Sequence, residues 1–145
     1  MNAEGRKIVL FVCTHNSCRS QMAEGMINSL MGDKWLAFSA GTDPTFVNMF
    51  VIQAMRDEGI DISGALSKPL DAFVGRADID LVVTVCDNAN QRCPVFPNAV
   101  RRLHVGFADP EQFVIGLTDG EIAVEFARLR DEMQERLTEL LGEWE

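Results

Sequence analysis

Two short runs of the chain are apolar at nearly every position, residues 8–12 and residues 81–85. A strand with one face in water alternates apolar and polar residues, whereas a strand of a parallel sheet is covered on both faces. The two runs therefore predict strands of a parallel sheet that has helices on both sides. Weaker strand patterns lie at residues 34–38, 60–62 and 101–105.

Three longer stretches carry apolar residues three and four positions apart, which is the spacing of one helical face. They are residues 20–30, 46–58 and 119–141, and a shorter helix is expected after Pro69. Strands and helices alternate along 145 residues, a length that suits a single core. The pattern predicts one domain, a flavodoxin-like, doubly wound α/β sandwich of three layers around a central parallel sheet of about four strands.

The formal net charge is −9, and residues 121–145 contain eight acidic residues against three arginines. This charge disfavours nucleic acids and anionic membranes as partners, and a solvated helix face accounts for it. The apolar run at residues 8–12 is too short for a signal peptide or a membrane span. We therefore expect a cytoplasmic protein, and we expect it to be a monomer. In that compartment its four cysteines are expected to be catalytic, metal-binding or inert rather than a disulfide scaffold.

The sequence CTHNSCRS, residues 13–20, follows the first predicted strand and opens the first predicted helix. In such a turn, successive peptide N–H groups and the positive end of the helix converge on one point, where they can bind an anion. The C-x5-R spacing puts Cys13 at one end of the loop and Arg19 at the other, where its guanidinium can grip two oxygens of an oxyanion. We expect Cys13 to be a thiolate nucleophile, with Ser20 donating a hydrogen bond to its sulfur.

The loop between these residues is predicted to form the wall of the anion site. Asn suits such a loop because it tolerates the left-handed backbone. The bare C-x5-R spacing also fits a buried cysteine and a surface arginine, but the flanking strand and helix favour the anion site. For Cys18 we expect helix packing and no required role of its side chain. The predicted oxyanion-binding residues are Thr14, His15, Asn16, Ser17, Cys18 and Arg19.

The segment CTHNSCRSQMAEG resembles the active-site loop of the low-molecular-weight protein tyrosine phosphatases and of the arsenate reductases built on that fold. The likeness continues in SAGTDP at residues 39–44, DEGIDIS at 57–63, VVTVC at 82–86 and GFADP at 106–110. It covers nearly the whole chain and implies the phosphotyrosine phosphatase I-like fold. Because both branches of the family share the loop, the loop does not decide between phosphatase and reductase.

The segment VCDNANQRCP adds Cys86 and Cys93, a pair that resembles the thioredoxin-coupled arsenate reductases rather than the phosphatases. If the stretch were helical, the two Cα atoms would lie roughly 10 Å apart. A disulfide needs about 5.5 Å, so closing the bond would unwind or loop out the segment. A zinc half-site and two inert thiols are the alternatives, and six intervening residues match neither common zinc spacing.

The resemblance implies a reaction in which Cys13 attacks the arsenic of arsenate and Asp109 protonates the leaving oxygen. Cys86 would then attack the sulfur of Cys13 and release arsenite, and Cys93 would attack Cys86 to leave a Cys86–Cys93 disulfide. The resemblance further implies thioredoxin as the external reductant, phosphate or sulfate as substrate mimics, and no bound cofactor.

Potassium-binding reductases of this family carry an acidic residue where this chain has Lys68. In those reductases the acidic residue helps to hold the cation near the positions that correspond to Asn16, Glu24 and Ser39 of this chain. We expect the ammonium group of Lys68 to replace the cation, so no metal site is predicted and activity should not depend on potassium.

Two other functions stay open from the sequence. A phosphatase would use Cys13, Arg19 and Asp109 alone to hydrolyse phosphotyrosine or a small phosphate ester. The chain contains no tyrosine, and Glu111 and Gln112 stand where the phosphatases often carry an aromatic residue after Asp-Pro. A non-catalytic oxyanion sensor, in which the second cysteine pair reports the redox state, is the third interpretation.

Overall fold

The computed structural model describes residues 5–87, 89 and 101–144. Within these residues four strands form one parallel sheet: β1 (Lys7–Cys13), β2 (Trp35–Gly41), β3 (Leu81–Thr84) and β4 (Arg101–His104). Their order across the sheet is β2-β1-β3-β4, so β1 lies between β2 and β3. The predicted parallel sheet of about four strands is confirmed.

The two inner strands, β1 and β3, are the ones with continuous apolar runs. Every side chain of residues 8–12 is buried, and so is every residue of β3. The edge strand β4 is largely exposed, which explains why its sequence carries arginines and a histidine. Burial on both faces therefore produced the strongest sequence signal for the strands.

Five helices are described: α1 (Arg19–Leu30), α2 (Met49–Arg56), α3 (Asp71–Val74), α4 (Pro110–Phe113) and α5 (Asp119–Gly142). α1 packs on β1 and β2, and α5 packs against α1 and α2. In α3, Phe73 packs on Phe38 of β2 with ring centroids 5.7 Å apart. The chain thus adopts the doubly wound sandwich that the alternation of elements predicts. No helix within the described residues has both the length and the apolar character to span a membrane.

Helix starts follow their caps rather than the apolar pattern alone. α2 begins three residues later than predicted because the Asn48 side chain accepts the N–H of Phe50 at 2.8 Å and serves as the N-cap. α5 begins at the predicted residue, where Thr118 and Glu121 form a capping box. The short helix α3 starts two residues after Pro69, because that proline pairs with the end of β2 instead.

Residues 60–62 form no strand, so the weaker strand prediction there is wrong. The order apolar, polar, apolar in Ile60, Asp61 and Ile62 imitates the alternation of a strand. The two isoleucines pack instead against α1, where their methyl carbons lie 3.6 and 3.0 Å from the point that a Cβ of Gly25 would occupy. A short alternating run does not identify a strand, because packing against a helix buries its apolar side chains equally well.

Arg130 of α5 is a buried cation that ties α5 to the end of α2. Its Nη1 donates to the carbonyl oxygen of Ala54 at 2.8 Å, and its Nη2 lies 3.2 Å from Glu58 and 2.9 Å from Asp131. The Ala54 carbonyl is one of the last four of α2, which a helix leaves without intrahelical donors. Arg130 therefore supplies a donor that the helix end lacks.

We expect Arg130→Ala to lower the free energy of unfolding by about 1–3 kcal/mol, because it removes the donor from a buried carbonyl oxygen. Arg128→Ala is the matched control, since Arg128 is exposed and, among residues 5–87, 89 and 101–144, forms an ion pair only with Glu125 on its own helix. We expect that change to alter the free energy by less than about 0.5 kcal/mol. Urea unfolding followed by tryptophan fluorescence measures both values, and equal effects of the two variants would contradict the prediction.

Candidate active site

A cavity of about 440 Å³ opens at the carboxyl edge of the sheet, where ligands bind in doubly wound folds. β1 ends there at Cys13, and Cys86 follows two residues after the end of β3. The cavity wall brings these two cysteines together with Arg19 and Asp109. Cys93, the third predicted redox cysteine, lies outside the described residues.

The loop from Cys13 to Ser17 turns its carbonyl oxygens away from the cavity. The carbonyl of Asn16 accepts from Gln21 Nε2 at 3.2 Å and from Ser67 Oγ at 2.8 Å. The other four accept backbone N–H groups of residues 42–48 at 2.8–3.2 Å, in the pairs Thr42–Cys13, Asp43–Thr14, Thr45–His15 and Asn48–Ser17.

This outward orientation determines where the N–H groups of the loop point. The C=O and N–H of a trans peptide point in opposite directions, and no peptide bond of the described residues is cis. The five N–H groups of residues 14–18 are therefore directed away from these hydrogen-bond partners, on the side that lines the cavity. Five donors on one short loop at the start of α1 form a cradle suited to the oxygens of an anion.

Asn16 holds the loop in this shape. Its φ is 51°, in the left-handed region that asparagine tolerates better than most residues. Its buried Oδ1 accepts from Lys68 N at 2.8 Å and from Gln21 Nε2 at 3.0 Å, and its Nδ2 donates to Ser20 Oγ at 2.7 Å. Sequence reasoning missed Gln21, because this polar residue lies off the predicted apolar stripe of α1 and nothing in the local pattern signals its burial.

Gly41, the last residue of β2, allows the strand to approach the cradle loop. A Cβ at this position would lie 2.7 Å from the carbonyl oxygen of Thr14 and 2.9 Å from the nitrogen of Asn16. Both are backbone atoms, so the loop itself would have to move to admit any other side chain. The glycine of the SAGTDP segment therefore has a packing role in the site.

The sulfur of Cys13 lies against the hydroxyl of Ser20. The Sγ–Oγ distance is 2.8 Å, and both residues are buried. Ser20 Oγ accepts from Asn16 Nδ2 and still has its own hydrogen to donate to the sulfur. A hydroxyl donor so placed stabilises negative charge on sulfur, which is the nucleophilic form.

Arg19 reaches from the start of α1 to the opposite wall of the cavity. Its Nη1 donates to the carbonyl of Phe107 at 3.0 Å, and its Nη2 lies 3.9 Å from Asp109 Oδ1. Its Nε is buried and has no acceptor among the described residues. A buried N–H without an acceptor is unfavourable, and an oxyanion oxygen is a group that would satisfy it.

Asp109 is the N-cap of α4, and its Oδ1 accepts the N–H of Glu111 at 3.0 Å. Its side chain is 38% exposed. The carboxyl group can therefore exchange a proton with solvent while the cap holds it at the cavity wall. A carboxyl group at this place on the cavity wall can serve as a general acid.

Cys18 belongs to the same wall but differs chemically from Cys13. Burial raises the pKa of its thiol far above the ordinary value, which outweighs the opposing hydrogen bond from Ser17, and the nearby Glu111 carboxylate raises it further. Its sulfur lies 3.5 Å from Glu111 Oε1, to which the S–H donates. A thiol held in its protonated form is a poor nucleophile.

Cys86 is buried, and its Sγ lies 3.3 Å from Thr14 Oγ1. The N–H of Ala89 also donates to this sulfur, at 3.4 Å. Because Thr14 directly follows Cys13, the contact sets a second thiol beside the start of the cradle.

Lys68 places its ammonium group among oxygen atoms behind the cradle. Nζ lies 3.4 Å from Glu24 Oε1, 3.5 Å from Ser39 Oγ and 3.2 Å from the carbonyl oxygen of Leu66. A potassium ion would need oxygen ligands of this kind, and here a fixed cation already engages them. The residues present therefore do not fit a bound potassium ion.

The remaining predicted wall residue, His15, is exposed at the rim, where its Nδ1 lies 2.9 Å from the carbonyl oxygen of Asp43. Sequence reasoning assigned no role to Asp87 or His104, whose side chains are 2.9 Å apart beside Cys86. That contact joins the end of β4 to the segment that follows β3, and it has no local sequence signal.

The low molecular weight phosphotyrosine protein phosphatase family matches this chain over residues 8–144. An arsenate reductase of Bacillus subtilis (strain 168) is 44% identical over 133 residues, which cover 92% of this chain and 94% of that protein. A solved arsenate reductase in the phosphate binding state aligns with a TM-score of 0.77 and 34% identity, over 94% of this chain and 97% of that one. A thioredoxin-dependent arsenate reductase of Corynebacterium glutamicum aligns with a TM-score of 0.60 and 26% identity, over 92% and 62% of the two chains. The chain therefore belongs to the low molecular weight phosphotyrosine protein phosphatase family.

Proposed function

We propose that this protein is a thioredoxin-dependent arsenate reductase that converts arsenate to arsenite. The position of the Cys86 sulfur, 3.3 Å from Thr14 Oγ1, carries the proposal because it sets a second thiol beside a nucleophilic cysteine in an anion cradle. A phosphatase needs the cradle, Arg19 and Asp109 but has no use for a thiol at that point. The arsenate reductases to which the chain is similar support the same conclusion.

In the first step the Cys13 thiolate attacks the arsenic of arsenate bound in the cradle. The N–H groups of residues 14–18 and the Arg19 guanidinium neutralise the oxygens, as preorganised donors do in other anion sites. Asp109 delivers a proton to the departing oxygen, which leaves as water or hydroxide. A sulfur–arsenic bond has then replaced one arsenic–oxygen bond, and arsenic is still in its oxidised form.

In the second step the sulfur of Cys86 attacks the sulfur of Cys13. A Cys13–Cys86 disulfide forms, the sulfur–arsenic bond breaks, and its electron pair stays on arsenic, which leaves as arsenite. Cys93 then attacks Cys86, which frees Cys13 and leaves a Cys86–Cys93 disulfide. Two thiols of thioredoxin reduce that disulfide and return the enzyme to its starting state.

The cradle also supports a phosphatase side activity. Phosphate and arsenate are both tetrahedral oxyanions, and Cys13, Arg19 and Asp109 complete a hydrolytic site without the second thiol. Hydrolysis of a small aryl phosphate therefore reports on the first step alone.

We expect Cys13→Ser to abolish both arsenate reduction and p-nitrophenyl phosphate hydrolysis, because serine is a far weaker nucleophile at neutral pH. Cys86→Ser and Cys93→Ser should abolish multiple turnover with thioredoxin and thioredoxin reductase while they retain the phosphatase activity. NADPH consumption and p-nitrophenol release measure the two activities on the same preparations.

The phosphatase assay serves as the control for folding and for an intact cradle in each variant. Sustained arsenate turnover by the Cys93→Ser protein with thioredoxin would overturn the relay. Loss of both activities in Cys86→Ser would show instead that this thiol is needed to build the cradle.

We further propose that the Lys68 ammonium group serves as the built-in cation of the site. Arsenate turnover should then be the same, within about twofold, in potassium chloride and in choline chloride of equal ionic strength. Lys68→Met, which keeps the length but not the charge, should raise the KM for arsenate by several-fold. A several-fold activation of the wild-type protein by potassium would contradict this proposal.

A further inference from the structure

His104, the last residue of β4, bridges the two ends of the short segment that carries Cys86. Its Nδ1 lies 2.9 Å from Thr84 Oγ1, and its Nε2 lies 2.9 Å from Asp87 Oδ1. Thr84 is the last residue of β3, and Asp87 directly follows Cys86. The imidazole therefore links the last residue of β3 to the residue that follows Cys86.

Both ring nitrogens can be engaged in either charge state of His104. In the neutral ring with its proton on Nε2, Nε2 donates to the Asp87 carboxylate and Nδ1 accepts from the Thr84 hydroxyl. In the protonated ring both nitrogens donate, and the Thr84 hydroxyl accepts instead. The bridge therefore does not depend on a particular charge of the histidine.

Gly106 has no side chain, and its small size makes room for the bridge. A Cβ at this position would lie 3.1 Å from His104 Nε2 and 3.5 Å from Asp87 Oδ1. Backbone hydrogen bonds of 2.9 and 3.1 Å run from residues 105 and 107 to the carbonyls of residues 84 and 85. The backbone that carries His104 and Gly106 is therefore itself hydrogen-bonded to the two residues before Cys86.

Cys86 lies beyond the end of β3, yet its sulfur has to face the cradle for the second step of the proposed reaction. We propose that His104 is a positioning residue that, through Asp87, holds Cys86 in place for its attack on the sulfur of Cys13. The inference rests on the proposed reductase function, since phosphate ester hydrolysis does not use Cys86. His104 acts through Asp87 and is not itself a catalytic residue.

Loss of the bridge has a specific kinetic consequence. The attack by Cys86 forms the Cys13–Cys86 bond and breaks the bond from Cys13 to arsenic, so its rate depends on how often the two sulfurs are aligned. Without the bridge Cys86 spends less time in that position, and arsenite release slows. The attack of Cys13 on the bound oxyanion is a separate step that the bridge does not control.

The test compares Asp87→Ala with Asp87→Asn in a Cys93→Ser background. This background stops the reaction at the Cys13–Cys86 disulfide, so each enzyme releases one arsenite without thioredoxin. Both substitutions remove the negative charge from the cavity mouth, but only asparagine keeps an oxygen that can accept from His104 Nε2. The side chain of Asp87 is 88% exposed, so neither substitution should prevent folding.

We expect single-turnover arsenite release to be about fivefold slower in Asp87→Ala than in Asp87→Asn, the size of effect that the loss of one hydrogen bond produces. The two variants should hydrolyse p-nitrophenyl phosphate at the same rate. His104→Ala should slow arsenite release similarly. In the His104→Ala protein, the alanine and asparagine variants of Asp87 should release arsenite equally fast, because the contact that distinguishes them is already absent.

The outcomes separate this inference from the proposed function. If the Cys93→Ser protein releases no arsenite, the reductase proposal itself fails. If it releases arsenite and the alanine and asparagine variants do so equally fast, His104 has no positioning role. An equal loss of arsenite release and of phosphate ester hydrolysis would assign the contact to general support of the cavity and would also overturn the inference.

Discussion

The outward orientation of five carbonyl oxygens, from Cys13 to Ser17, determines what the cavity can do. Each carbonyl accepts a hydrogen bond from outside the loop. Four of them accept backbone N–H groups of residues 42–48, and the carbonyl of Asn16 accepts from the side chains of Gln21 and Ser67. With the carbonyls held there, the N–H groups of the same peptides have to face the cavity. If the donors were lost, the loop could relax, and carbonyl oxygens in the cavity would repel an anion instead of binding it.

The rest of the site depends on this orientation through Asn16. Its left-handed backbone lets the loop turn, and its amide side chain links the loop to Ser20, Gln21 and the backbone of Lys68. A buried polar network stabilises a structure only when its members find partners. Here Asn16 Nδ2 donates to the Ser20 hydroxyl oxygen, which in turn lies 2.8 Å from the sulfur of Cys13. The groups that stabilise the loop therefore also hold a hydroxyl against the sulfur of Cys13.

Local patterns predicted much of this arrangement. The apolar run of residues 8–12 predicted β1, and the C-x5-R spacing placed Cys13 and Arg19 at the two ends of one loop. The patterns misled at residues 60–62, where isoleucines pack on α1 although their alternation resembles a strand. No local pattern could reveal the bridge of His104, because its partners become neighbours only when β4 pairs with β3.

The three described cysteines of the cavity wall raise a question of selectivity for the proposed reaction, since a thiolate near Cys13 could attack its sulfur once that sulfur carries arsenic. Cys18 lies at the start of α1, five residues after Cys13, but burial and the Glu111 carboxylate raise the pKa of its thiol and keep it protonated. Cys86 instead receives hydrogen bonds from the Ala89 N–H and shares one with the Thr14 hydroxyl. The protonated Cys18 thiol is therefore unsuited to thiol exchange, which leaves Cys86 for the proposed exchange with Cys13. A wall that held three equally reactive thiols would lead to a disulfide inside the cradle, where it would block the anion site.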